Sequence, residues 1–187
     1  MNIRKNQKGF TLIELLIVVA IILIIAAIAI PNLLRSRMAA NEASAVGSLR
    51  TILTANVSYN SEYGIGFANT MAMLGSGGAA TPVNPATCNA AGFLDPLLSN
   101  ATVITAPKSG YYFQYTGATP WTGATPAACT AGFMSFDVAA LPSIPGTTGQ
   151  TTFCVDQTGV IMKDPSGTVV GHGGVSCSTD GYPQSLQ

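Results

Sequence analysis

From Phe10 to Ile30 the chain carries no polar side chain except Thr11 and Glu14, and from Leu15 to Ile30 it carries none. As a helix this run rises about 31 Å, close to the thickness of a bilayer core. The run therefore predicts a membrane-length helix near the N-terminus, spanning about 10–30. Ahead of it lies a short basic head with Arg4, Lys5 and Lys8, ending at Gly9. A carboxylate inside a spanning helix costs roughly 2.5–3.5 kcal/mol on insertion scales. A plain anchor has no need of that cost, so Glu14 calls for a partner.

Gly9-Phe10-Thr11-Leu12-Ile13-Glu14, followed by the apolar helix and by Pro31, resembles the N-terminus of a type IV prepilin. The likeness in detail covers about Met1 to Tyr63. It implies that residues 1–9 are a leader, removed after Gly9 by a membrane-embedded aspartyl peptidase that also methylates the new amine on Phe10. It implies that Glu14 pairs with the Phe10 amine of a neighbouring subunit in a helical filament. The implied fold is α+β, with a long helix over 10–63 packed on a small antiparallel sheet in a head domain over 64–187. The implied partners are further copies of the chain, the prepilin peptidase, the inner-membrane pilus assembly machinery, and the membrane itself before assembly. Two functions share this N-terminus: a subunit of a type IV pilus, and a pseudopilin of a type II secretion system. A Gly/Ser/Thr-rich surface with disulfides favours the pilus, which stands outside the cell.

Two rival readings of the head fit less well. A cleaved secretory signal would find an Ala-x-Ala match at Ala27 and Ala29. Yet Leu15 to Ile30 already equals or exceeds a usual signal core, and Glu14 would interrupt it. A single-pass anchor leaves Glu14 without a purpose. The flanking cations set no clear orientation, because Arg35 and Arg37 follow the run as Arg4, Lys5 and Lys8 precede it.

Only 9% of the residues are charged, and eight Lys and Arg balance eight Asp and Glu. Loss of the leader would remove three of the cations and leave the chain mildly acidic. No clustered basic patch suggests nucleic-acid binding. Cys88, Cys129, Cys154 and Cys177 all follow the helix. An even count behind a membrane segment suggests two disulfides in an oxidising compartment rather than zinc, since no C-x-x-C pair occurs. Four cysteines allow three pairings. The expected one joins neighbours along the chain, Cys88 with Cys129 and Cys154 with Cys177, and its second bridge ties a C-terminal loop to a strand, as pilins commonly do.

Pro31 would kink the helix, since it lacks an N–H and crowds the preceding turn. Beyond it Ala45, Val46, Leu49, Ile52, Leu53 and Val57 recur at steps of three and four, which predicts one apolar stripe fit to dock on a sheet. Gly47 lies within that helix, so a close packing contact or a weak point is expected there. Gly64 is the expected stop. Residues 64–110 read as loop-rich, with short helical pieces near Thr70–Leu74 and Asp95–Ser99. Four antiparallel strands are expected, at Tyr111 to Thr116, Phe133 to Leu141, Thr151 to Val155 and Val160 to Met162, with a Gly- and Ser-rich loop region over 164–187.

Chemistry finds little support. His172 is the lone histidine and sits between glycines in a loop. No nucleophile elbow, zinc helix motif or Walker sequence occurs, so no catalytic residue, metal ligand or cofactor is expected. Gly75-Ser76-Gly77-Gly78 lacks the lysine and strand of a phosphate loop. Asp156 and Asp164 flank the last hairpin and read as turn formers, without the spacing of a calcium loop. Tyr111, Tyr112 and Tyr115 read as sheet packing. Asn56-Val57-Ser58 and Asn100-Ala101-Thr102 match a glycosylation triplet.

Overall fold

A computed structural model of the protein describes residues 10–79, 85–169 and 176–186. The leader with Gly9, and the loop histidine His172, lie outside the described residues. The backbone groups into two units, Met1–Arg37 and Met38–Gln187. One helix, α1 (Leu12–Tyr63), contributes to both and contains Pro31. Between Phe10 and Arg37 every side chain except that of Ala26 is exposed.

In the second unit α1 ends at Tyr63. Gly64 follows with φ 62° and donates its N–H to Asn60 O at 3.0 Å. That left-handed conformation is one that glycine reaches without a Cβ penalty. The helix buries Ala45, Ser48, Leu49, Ile52, Ala55, Asn56 and Tyr59. The stripe is thus turned from the expected one: Val57 is 53% exposed, while Asn56 and Tyr59 are fully buried. An apolar count passes over Asn56, because its burial depends on hydrogen bonds. Asn56 Nδ2 donates to Ile52 O at 3.2 Å, and its Oδ1 accepts from Ala68 N at 3.3 Å and from the Tyr115 hydroxyl at 3.0 Å. Gly47 is exposed, and a Cβ there would meet nothing within 4 Å, so it makes no close packing contact within the described chain.

Two short helices follow, α2 (Met71–Leu74) and α3 (Pro96–Ser99), N-capped by Thr70 and Asp95. The sheet is an antiparallel meander in sequence order: β1 (Tyr111–Pro120), β2 (Phe133–Pro142), β3 (Thr152–Asp156), β4 (Ile161–Asp164) and β5 (Gln184–Ser185). β1 runs past Thr116, its expected end, and through Gly117, where the ring of Phe133 lies where a Cβ would be, with Cδ2 1.9 Å from that position. A glycine inside a strand marks such a close approach. β5 is a fifth strand where a loop was expected. It pairs through Met162↔Ser185 and Lys163↔Gln184.

One face of the sheet carries Phe113, Phe136, Val138, Ala140, Phe153 and Val155, which pack with the α1 stripe into the main core. The other face is covered as well, by a smaller cluster of Cys154, Cys177 and Tyr182. That second cover explains why β2 is buried on both sides from Phe136 to Leu141, Asp137 included, instead of alternating with water.

Candidate assembly site

The N-terminal unit offers one charged group within its apolar run. Glu14 stands in the first turn of α1 and is bonded to Thr11 in both directions. Thr11 N–H donates to Glu14 Oε2 at 2.9 Å, and Glu14 N–H donates to Thr11 Oγ1 at 3.3 Å. This is a capping box, in which two otherwise orphaned N–H groups at a helix start are each satisfied by the other residue's side chain. The Thr11-x-x-Glu14 spacing is a sequence signature of it, so the role of Thr11 was open to sequence reasoning but overshadowed by the carboxylate. Phe10, just ahead, is 80% exposed.

The head holds its four cysteines as two disulfides, Cys88–Cys129 and Cys154–Cys177, with Cα–Cα distances of 5.6 and 5.7 Å. The first joins the loop after α2 to the loop between β1 and β2. The second fastens the C-terminal segment to β3, and Cys177 N–H donates to Asp156 Oδ2 at 3.0 Å.

The remaining candidates are structural. Asp156 also accepts Thr158 N–H at 2.9 Å. Asp164 accepts the N–H groups of Ser166, Thr168 and Val169, each at 2.9 Å, and the hydroxyls of Ser166 and Thr168. Both aspartates are therefore spent on turns. The glycine loop is folded in the same way: Gly77 N–H donates to Ala72 O, and Gly75 O accepts from Gly92. Asp137, Cys154 and Asp180 bring possible ligand atoms within 4.8 Å of one another, but the Cys154 sulfur belongs to a disulfide and is no thiolate. Tyr111 and Tyr115 pack in the core, and Tyr112 is half-buried. Burial raises the phenols of Tyr111 and Tyr115 and pushes Tyr59 up to about 12, so none ionises near neutral pH. A cleft of about 400 Å³ between α2, α3 and β1 has Tyr115 as its one ionisable lining side chain. Of the two glycosylation triplets, Asn56 is buried and Asn100 is exposed.

The bonds to Asp164 have a consequence for acid stability. Hydrogen bonds from Ser166, then from the Val169 backbone, hold its carboxyl well below the usual carboxylate range. A lowered folded value gives stability that is fully present above the unfolded value of about 3.9 and is lost as pH falls through the folded one. Asp164→Asn is expected to flatten the loss of thermal stability below about pH 4. Melting curves from pH 2 to 6 check this, and an unchanged acid limb would refute it.

An apolar helix stretch left exposed among the described residues of its own unit, carried by a chain with a stapled sheet domain, is the build of a protein completed by a membrane or by further copies of itself. Residues 4–30 match the family described as the prokaryotic N-terminal methylation motif. The type IV wide pilus major component PilA4 of Thermus thermophilus is 34% identical over 65% of this chain and 84% of its own length. The type IV major pilin protein PilA of Myxococcus xanthus is 51% identical over 30% of this chain and 26% of its own. A fimbrial protein of Pseudomonas aeruginosa is 40% identical over 39% of this chain and 56% of its own. No solved structure matches the chain. The chain belongs to the type IV pilins, the structural subunits of type IV pili. The motif implies processing by a prepilin peptidase, and none of these relatives is named a pseudopilin.

Proposed function

We propose that the chain is made as a prepilin, held in the inner membrane by α1, and cut after Gly9 so that Phe10 becomes the methylated N-terminus. Residues 10–30 then leave the bilayer and pack against the same segment of neighbouring copies, while residues 64–187, with the docked half of α1, form the head. Burial of Leu, Ile and Val side chains drives this step, at about 25 cal/mol per Å² removed from water. The contact is heterologous, so the filament grows open-ended. Pro31 bends the helix between its membrane half and its head half. Glu14 pairs with the Phe10 amine of a neighbour. The observation that carries this reading is Glu14 itself, the lone carboxylate in the apolar, exposed stretch of α1 from Leu12 to Ile30. The leader has to be removed first, because Arg4, Lys5 and Lys8 would enter the filament core unpaired.

The protein acts as a structural element, not an enzyme. Its relatives are pilus subunits, Asp156 and Asp164 are spent on turns, and its buried tyrosines are raised beyond useful acid–base chemistry. The inner-membrane assembly machinery is the partner that extracts it.

The intact mass of the subunit in sheared filaments tests the reading. It is expected to show the loss of residues 1–9 and the gain of one methyl group on Phe10. A filament subunit that still carries Met1 would overturn it.

A further inference from the structure

Both donors of Thr11 converge on a single oxygen of Glu14. Its N–H reaches Oε2 at 2.9 Å and its hydroxyl reaches the same atom at 2.6 Å. Oε1 has no hydrogen bond among the described residues. The Thr11 hydroxyl thus does more than a capping box requires: besides accepting Glu14 N–H, it donates back to the carboxylate.

We infer that Thr11 is the positioning residue of the assembly contact, holding the Glu14 carboxylate against the start of its own helix with one oxygen engaged and the other presented to a neighbouring copy. The inference rests on the reading that Glu14 pairs with a Phe10 amine. A carboxylate in apolar surroundings needs its lone pairs met. Thr11 meets two of them before any partner arrives, and those bonds to a charged acceptor are the strong kind. They also remove the rotamer freedom that a long glutamate side chain would otherwise lose on docking. Finally, they draw the carboxylate back towards residue 11. The level at which a neighbour's amine must arrive is then set by Thr11 as well as by the Glu14 backbone.

A hydroxyl that only caps the helix would be replaced well by aspartate, a strong N-cap residue. Aspartate cannot donate to Glu14 and repels it, so the two roles separate. The test expresses full-length Thr11→Val, Thr11→Ser, Thr11→Asp and Glu14→Gln in cells with a working pilus system. It reads the processed, membrane-held subunit by intact mass and the filament by shearing, and compares filament per processed subunit. Thr11→Val and Thr11→Asp are expected to fall roughly tenfold, as loss of one hydrogen bond to a charged group implies. Thr11→Ser should stay near wild type. Wild-type yield from Thr11→Val beside failure of Glu14→Gln would overturn the role of Thr11 alone. Wild-type yield from Thr11→Asp would reduce Thr11 to a helix cap. Absence of any processed Thr11→Val subunit would place Thr11 with the peptidase instead. Wild-type yield from Glu14→Gln would overturn the pairing and this inference with it.

Discussion

A Glu14→Gln subunit is expected to insert, lose its leader and fold its head, yet to give few or no filaments. Glutamine keeps the length and polarity of the side chain and can still accept from Thr11, so the start of α1 is preserved. What it lacks is the charge. In the proposed contact the Phe10 ammonium of one copy is compensated by the carboxylate of another, inside a core of Leu, Ile and Val side chains. Removing one partner of such a buried pair costs about 3–5 kcal/mol, mainly because the other charge is left uncompensated. That is more than a hundredfold in an equilibrium for adding a subunit. The head is spared, since its core begins at Ala45. Filament yield and membrane-held subunit, measured side by side, decide the matter. A normal yield would show that this carboxylate does not govern assembly.

Removal of the Cys154–Cys177 bridge by alanine at both positions is expected to lower the stability of the head by about 3–4 kcal/mol in the chain-entropy account. The bridge closes a loop with a sequence separation of 23, and both cysteines are fully buried. Its loss reaches further than the sulfurs. The same segment brings Cys177 N–H to Asp156, sets β5 on the edge of β4, and lets Leu186 N–H donate to Ile161 O at 2.7 Å. Once it is freed, the edge of β4 stands open, and an open edge is a template for strand pairing between molecules. Denaturant unfolding of the processed subunit in detergent, with hydrogen exchange at residues 161–163, is the measurement. An unchanged midpoint, with those amides still protected, would show that the strap holds without its staple.

The sequence displays most of this architecture wherever a local rule acts alone. The apolar run forces a helix, Gly64 ends it, and Thr70 and Asp95 cap the two short helices at the positions where such residues cap. Strands β1 to β4 announce themselves by aromatic and β-branched content. What is hidden depends on contacts across the chain. β5 is two residues long and has no pattern, so its pairing with β4 comes from the disulfide and Leu186 rather than from propensity. The buried place of Asn56 follows from Ala68 and Tyr115, residues far from it in sequence. The second buried face of β2 needs Tyr182 and Cys177 to be folded over it. At the N-terminus Glu14 is plain as the odd carboxylate, but the doubled bond from Thr11 to one of its oxygens requires coordinates.

Several acidic side chains of the head share one habit: each is aimed at backbone N–H groups. Glu42 receives Gln150 and Thr151, Asp95 receives Leu98, Asp156 receives Thr158 and Cys177, and Asp164 receives three. Exposed pairs of opposite charge weaken as ionic strength rises, because mobile ions screen them within a Debye length of about 10 Å at 0.1 M. A carboxylate in direct contact with N–H groups at about 3 Å leaves little room for an intervening ion. Loops fastened in this way keep their shape from fresh water to brine, and a fibre outside the cell has to stand in whatever water surrounds it.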